Sequence, residues 1–215
     1  MIDLERRSPV VFPKEAKQLE TQDHWTVVME YASEGEGPWI VDLSHRPRWD
    51  LQDSDLSKFK PFETDIPENP GQCCFGNNIL ANRMNRTQVS LWQLTGDRLE
   101  TPDDTAYTDT TDVTLFLAIL GKAVFSITEK LSSLDFRDPN IQTPRLFQGP
   151  FAHVPCQIVV AGQADDTPGI LLTCSRGYAR DMVAAILHAG HEFNLQPAGQ
   201  NIFNSWINEG WNQTK

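Results

Sequence analysis

The sequence predicts an α+β protein made of two similar units, each packing helices on a mostly antiparallel sheet. Three observations lead there. Short runs rich in β-branched and aromatic residues, such as 25–31 and 113–120, recur between turns rich in Gly, Pro and Asp. Apolar residues at helical spacing stand out in few places, chiefly 121–134 and 175–190. The pattern restarts after an acidic, turn-rich stretch, 95–111, which holds Gly96-Asp97, Pro102-Asp103-Asp104 and Asp109-Thr110-Thr111.

Taken in order, residues 1–24 are polar, carry Pro9 and Pro13, and read as an N-terminal arm in which 15–22 has the makings of a short helix. The first α+β unit spans 25–100. Residues 25–31 form a strand that ends in the loop Ala32-Ser33-Glu34-Gly35-Glu36-Gly37-Pro38. Residues 39–43 and 49–52 continue as strands. Asp53-Ser54-Asp55 offers an N-cap for a short helix through Lys60. Pro61, Pro67 and Pro70 punctuate the chain before strands at 73–84 and 88–94, joined around Asn85-Arg86.

The second unit spans 101–199. The strand 113–120 closes on Gly121, and Ala123, Val124, Ile127, Leu131 and Leu134 then fall at helical spacing. Residues 151–161 and 169–174 are strand-like, with a hairpin loop at 162–168 that contains Asp165-Asp166. Ser175 is placed to cap a long helix whose face is Tyr178, Met182, Ala185, Ile186 and Ala189. Pro197 stops it, and 200–215 form a polar C-terminal tail with Phe203, Trp206, Ile207 and Trp211. Asp42-Leu43-Ser44 and a helix at 53–60 are matched by Asp112-Val113-Thr114 and a helix at 121–134. Each then passes through a Pro-bearing loop into paired strands, the order of an internal duplication.

Composition narrows the function. Lys and Arg number 18 against 29 Asp and Glu, a formal charge of −11. Binding to phosphate backbones needs concentrated cations, so nucleic acid is excluded as the main partner. No apolar run approaches the ~20 residues that span a bilayer, so no membrane partner is expected. The stretch 1–7 lacks the apolar centre of a signal peptide, and a cytoplasmic location is expected. Cys73, Cys74, Cys156 and Cys174 have no C-x-x-C spacing, which argues against structural zinc and thioredoxin chemistry and for buried, reduced thiols.

Candidate catalytic groups are sparse. His188, His191 and Glu192 suggest a metal, but a solvated helix end with no third ligand is the better reading. Cys156 and His153 suggest a nucleophile and base, yet residues three apart on a strand face opposite sides. His24 and His45 have no partner visible in the sequence. Asp103-Asp104 and Asp165-Asp166 sit in turns, where adjacent carboxylates are usually just solvated. There is no Gly-x-Gly-x-x-Gly or Walker loop, and Gly121 reads as a tight turn. Of the six tryptophans, Trp206 and Trp211 stand out because the tail has no core of its own and must dock on this chain or on a partner.

Several stretches carry a family resemblance. They are Asp112-Val113-Thr114, Ile119-Leu120-Gly121-Lys122-Ala123, Leu131 with Leu134-Asp135, the run 171–180 and the run 187–193. With them this half resembles the folate-binding aminomethyltransferase-like domains, and more narrowly the gamma subunit of heterotetrameric sarcosine oxidase. Arg6-Arg7-Ser8-Pro9 is similar to the opening of the gamma subunit, and Val41-Asp42-Leu43-Ser44-His45 to an aminomethyltransferase element.

The resemblance implies a folate-binding-domain-like fold. The folate enzymes hold tetrahydrofolate and use a carboxylate near a strand turn. The corresponding stretch, 148–156, has no acidic pair, and the chain stops 16 residues beyond Pro197-Ala198-Gly199. That matches the gamma branch, an accessory subunit without its own cofactor, whose complex carries flavins, NAD and folate on other subunits. The implied role is a non-catalytic subunit of an amine oxidoreductase, partnered by its other protein subunits. This chain would have no catalytic, cofactor or metal residues, and Trp206 and Trp211 would meet the partner. Two alternatives stay open: a minimal tetrahydrofolate-dependent aminomethyltransferase or demethylase, and a stand-alone folate-binding protein.

Overall fold

The computed structural model describes residues 5–162 and 168–210. The strands in chain order are β1 (Ala16–Gln22), β2 (Trp25–Tyr31), β3 (Trp39–Asp42), β4 (Arg48–Gln52), β5 (Cys73–Gly76), β6 (Ile79–Asn85) and β7 (Gln88–Gln93). They continue as β8 (Tyr107–Asp109), β9 (Thr114–Leu120), β10 (Arg145–Phe151), β11 (Val154–Gly162), β12 (Gly169–Ser175) and β13 (Gln196–Ala198). The helices are α1 (Val124–Thr128), α2 (Ala179–Gly190) and α3 (Gln200–Gly210). The architecture is α+β, with mostly antiparallel sheets. A six-stranded sheet runs β10-β11-β12-β9-β3-β13, a five-stranded sheet runs β5-β6-β7-β4-β8, and β1 and β2 form a separate hairpin. Among the described strands, β13 and β3 are the pair that run parallel.

The layers follow from the two-residue period of a strand. Leu115, Leu117 and Ile119 of β9 face α1 and α2, packing with Val124, Ile127, Met182 and Ile186. Phe116, Ala118 and Leu120 face the other way, onto Leu80, Trp92 and Leu94 of the five-stranded sheet and Phe203, Trp206 and Ile207 of α3. The far side of that second sheet, Trp49, Leu51, Ile79, Val89 and Leu91, packs with Phe59 and Phe62 from the β4–β5 connection and with Tyr107 of β8.

The duplication is visible in the topology. β4 to β7 are ordered β5-β6-β7-β4, and β9 to β12 are ordered β10-β11-β12-β9. Both repeats turn their first hairpin on two residues with positive φ, Asn77-Asn78 in one and Ala152-His153 in the other. The repeats also exchange a strand. β3 precedes β4 in sequence but pairs with β9, and β8 precedes β9 but pairs with β4. Residues 25–100 and 101–199 therefore each complete the other's sheet. The chain crosses between sheets at 43–47 and again at 110–113.

Several local expectations are corrected. Residues 73–84 are a hairpin rather than one strand, because Asn77-Asn78 takes the left-handed conformation that tight hairpins need. Residues 151–161 are likewise broken at Ala152-His153, and β10 occupies what read as loop. Residues 15–22 hold no helix: 16–22 are strand β1, paired with β2 through the Asp23-His24 turn and solvated along most of its length. The helix at 121–134 reduces to the five residues of α1. Ser175 makes no side-chain cap, a 3₁₀ turn at 176–178 precedes α2, and Tyr178 is exposed. The described part of the tail, Gln200–Gly210, is helix α3. The hairpin at 162–168 is bounded by the pair Gly162↔Gly169, while Asp165 and Asp166 lie outside the described residues. Among the described residues no helix is long and apolar enough to cross a membrane.

Candidate functional site

The exchange of strands creates a crossing point, and the crossing is held by a buried cation. Arg48, at the start of β4, is 1% exposed. Its guanidinium donates to the carbonyls of Arg46, Thr111 and Thr114, to Thr114 Oγ1, and at longer range to the Ser44 carbonyl. It also lies over the Phe116 ring, 5.1 Å from the centroid. Burial pulls its pKa down, against the opposing pull of Asp42, Asp109 and Asp112. Asp42 accepts from the Ser44 N–H and from the hydroxyl of Ser8. Burial raises its pKa, and those hydrogen bonds work against the rise.

Two residues further along the same crossing, the chain lines a cleft of about 630 Å³. His45, Arg46 and Pro47 form one wall, Gln93 and Arg98 a second, and Asn204 and Ile207 of α3 a third. Arg46 donates through Nη2 to Gln200 Oε1 at 3.2 Å and Asn204 Oδ1 at 3.3 Å. Its Nε is buried without a partner. Burial lowers its pKa to about 10. Its partners are neutral amides, and among the described residues no carboxylate pairs with it.

His45 separates this cleft from a void of about 80 Å³ lined by Trp25, Tyr31 and Asp42. Its Nε2, like Trp25 Nε1, is buried and unpartnered. Burial, then Arg46 and Arg48, hold the imidazole well below its ordinary pKa, so it is neutral near pH 7. Gln93 shapes the second wall by donating to the carbonyls of Thr95 and Asp97 and accepting from the Leu99 N–H. Arg98, on that loop, pairs with Asp23 at 3.0 Å, which Arg6 also holds at 2.7 Å.

The other nominated residues lie elsewhere. Glu192 is paired with Lys130 beside the exposed His188 and His191. Among the described residues no group of three or more His, Cys, Asp or Glu could hold a metal ion. Cys156 is buried in the helix-side core, whereas His153 is exposed in the β10–β11 turn, so the two do not form a dyad. Asp104 closes its own turn by accepting from the Ala106 N–H. Asp103 is exposed beside it. His24 sits in the turn between β1 and β2, at φ 63°. Gly121 has φ +106°, and a Cβ there would meet the Pro38 backbone at 3.1 Å.

Trp206 is 7% exposed and packs with Phe203 in the core between the sheets. Its ring lies so close over Gly169 that a Cβ there would meet it at 2.3 Å. The ring docks on its own chain. Trp211 lies outside the described residues. The cleft itself was not legible in the sequence, because its walls come from 45–47, 93–98 and 204–208. The only local hint was His45 within Ser44-His45-Arg46.

No protein-family model matches the chain, and no curated protein matches its sequence. Among solved structures the chain is similar to a chain of heterotetrameric sarcosine oxidase from Corynebacterium sp. U-96, solved in complex with pyrrole 2-carboxylate. The match has a TM-score of 0.63 and 11% identity, and covers 74% of this chain and 88% of that one. At that identity the likeness is one of fold alone.

Proposed function

We propose that this chain is a non-catalytic, gamma-like accessory subunit of a multi-subunit, sarcosine oxidase-type amine oxidoreductase. It braces the flavin- and folate-bearing subunits. The observation that carries this reading is the shared fold. The likeness spans 74% of this chain and 88% of the sarcosine oxidase chain. The gamma-like stretches at 6–9, 112–114, 119–123, 171–180 and 187–193 support the same branch of a folate-binding-domain-like fold. Two sheets that complete each other make a rigid block suited to bracing larger subunits.

The test is co-expression of the tagged chain with the oxidoreductase subunits encoded beside it, followed by size-exclusion chromatography with absorbance at 450 nm. The expected result is co-elution with flavin, and loss of the complex when this chain is omitted. A chain that stays monomeric in that co-expression overturns the reading, as does demethylation of sarcosine by the chain alone. Saturable quenching of its tryptophan fluorescence by tetrahydrofolate would support the folate-binding alternatives instead.

A further inference from the structure

We propose that the cleft beside the strand crossing is a binding site for a small organic oxyanion, a carboxylate or a phosphate ester, with Arg46 as its anchor. The inference does not depend on the accessory-subunit reading. Arg46 is a half-buried cation whose side-chain hydrogen bonds, among the described residues, go to the side-chain oxygens of Gln200 and Asn204. A buried charge is normally paired, because removing it from water costs far more than neutral hydrogen bonds return. The missing partner is an anion, and the open side of Arg46 is the cleft.

The surroundings fit that ligand. Arg48 lies two residues away and Arg98 stands on the facing wall. The lining also carries the carboxylates of Asp23 and Asp97. Asn204, whose Oδ1 accepts from Arg46, keeps its amide NH₂ as a second donor. Asp23, at the cleft edge, is occupied by Arg6 and Arg98 and does not compete for Arg46. Pro47 and Ile207 supply apolar wall for an organic body. The volume lies within the range of small-molecule sites. Inorganic ions alone would leave that wall uncovered, which is why the ligand class is an organic acid or phosphate ester.

The test uses the full chain and four probes at matched ionic strength: sodium acetate, citrate, phosphate and chloride. Each is titrated calorimetrically and by thermal shift. A saturable response to citrate, acetate or phosphate, absent with chloride, is expected. Carboxylate-selective and phosphate-selective responses distinguish the two sources. R46Q should weaken binding at least tenfold, while the exposed control R137Q leaves it unchanged. N204D covers the case in which R46Q does not fold. It gives Arg46 an internal carboxylate, and should abolish the response while keeping or raising the thermal midpoint. The proposal is overturned if no acid gives a saturable response, or if the response survives N204D or R46Q.

Discussion

Replacing Arg48 by Met tests whether the strand crossing depends on a buried hydrogen-bonding cation. Met keeps the apolar stem and its contact with Phe116 but donates nothing. The carbonyls of Thr111 and Thr114, now bound at 2.7 and 3.1 Å, and that of Arg46 lose their donor inside the protein. Each buried acceptor left unpaired costs about 1–3 kcal/mol. Part of that is returned, because a guanidinium no longer has to be desolvated, a term of several kcal/mol. Three acceptors at the low end of the range give a net loss of about 3 kcal/mol. In a chain of this size that lowers Tm by about 6–12 °C. Urea unfolding followed by tryptophan fluorescence, with calorimetry as a second probe, measures it. R48K, with fewer donors at one point, should fall between the two. If R48M is as stable as the wild type, the cation is replaceable by apolar packing and the argument for a pinned crossing is wrong.

Trp206→Ala should cost about 3–5 kcal/mol in the isolated chain, since it empties a filled core position; unchanged denaturation with altered partner binding would contradict the self-docked tail. Gly199→Ala should cost about 1–3 kcal/mol, because its Cβ would meet the Met29 carbonyl at 2.3 Å and push α3 off β2; guanidinium melts measure it. His45 is held neutral in the folded state, so below about pH 6.5 the unfolded chain binds a proton that the folded chain refuses. Its contribution therefore lowers stability as pH falls, by up to about 1.4 kcal/mol per unit. The raised carboxyl of Asp42 acts in the opposite direction, so the comparison that counts is wild type against H45Q. The variant should show the shallower loss of stability between pH 6.5 and 5. The register Gln157↔Thr173 sets Cys156 opposite Cys174, both buried. Under native conditions these two should react with a thiol reagent more slowly than the less buried Cys74, in an order readable by mass spectrometry after timed quenching.

Much of the fold was readable locally. The alternation in Leu115-Phe116-Leu117-Ala118-Ile119 marks a strand buried on both faces, and the structure sends its two faces to two different cores. The Asn77-Asn78 turn was missed when 73–84 read as one strand, although Asn tolerates left-handed backbone. Its counterpart at Ala152-His153 was missed too, since Ala carries no such signal and surrounding packing imposes the conformation. Phe203, Trp206 and Ile207 stand at i, i+3 and i+4, the spacing of a helix face. Their polar neighbours disguised it, and only the groove that receives them shows where the face goes.

By itself the sequence determined most of the buried strands, which residues of each share a face, the repetition of element order and an acidic composition. These follow from short-range sterics and the periodicity of apolar residues. Tertiary structure decided the exchange of β3 and β8 between sheets, the burial of Arg48 where the chain crosses, the docking of α3 and the cleft around Arg46. A period of two says what a strand presents on each side, but not which strand lies beside it. That choice is made by contacts between residues as far apart as 46 and 204, whose combined burial and hydrogen bonding exist only once the chain has closed.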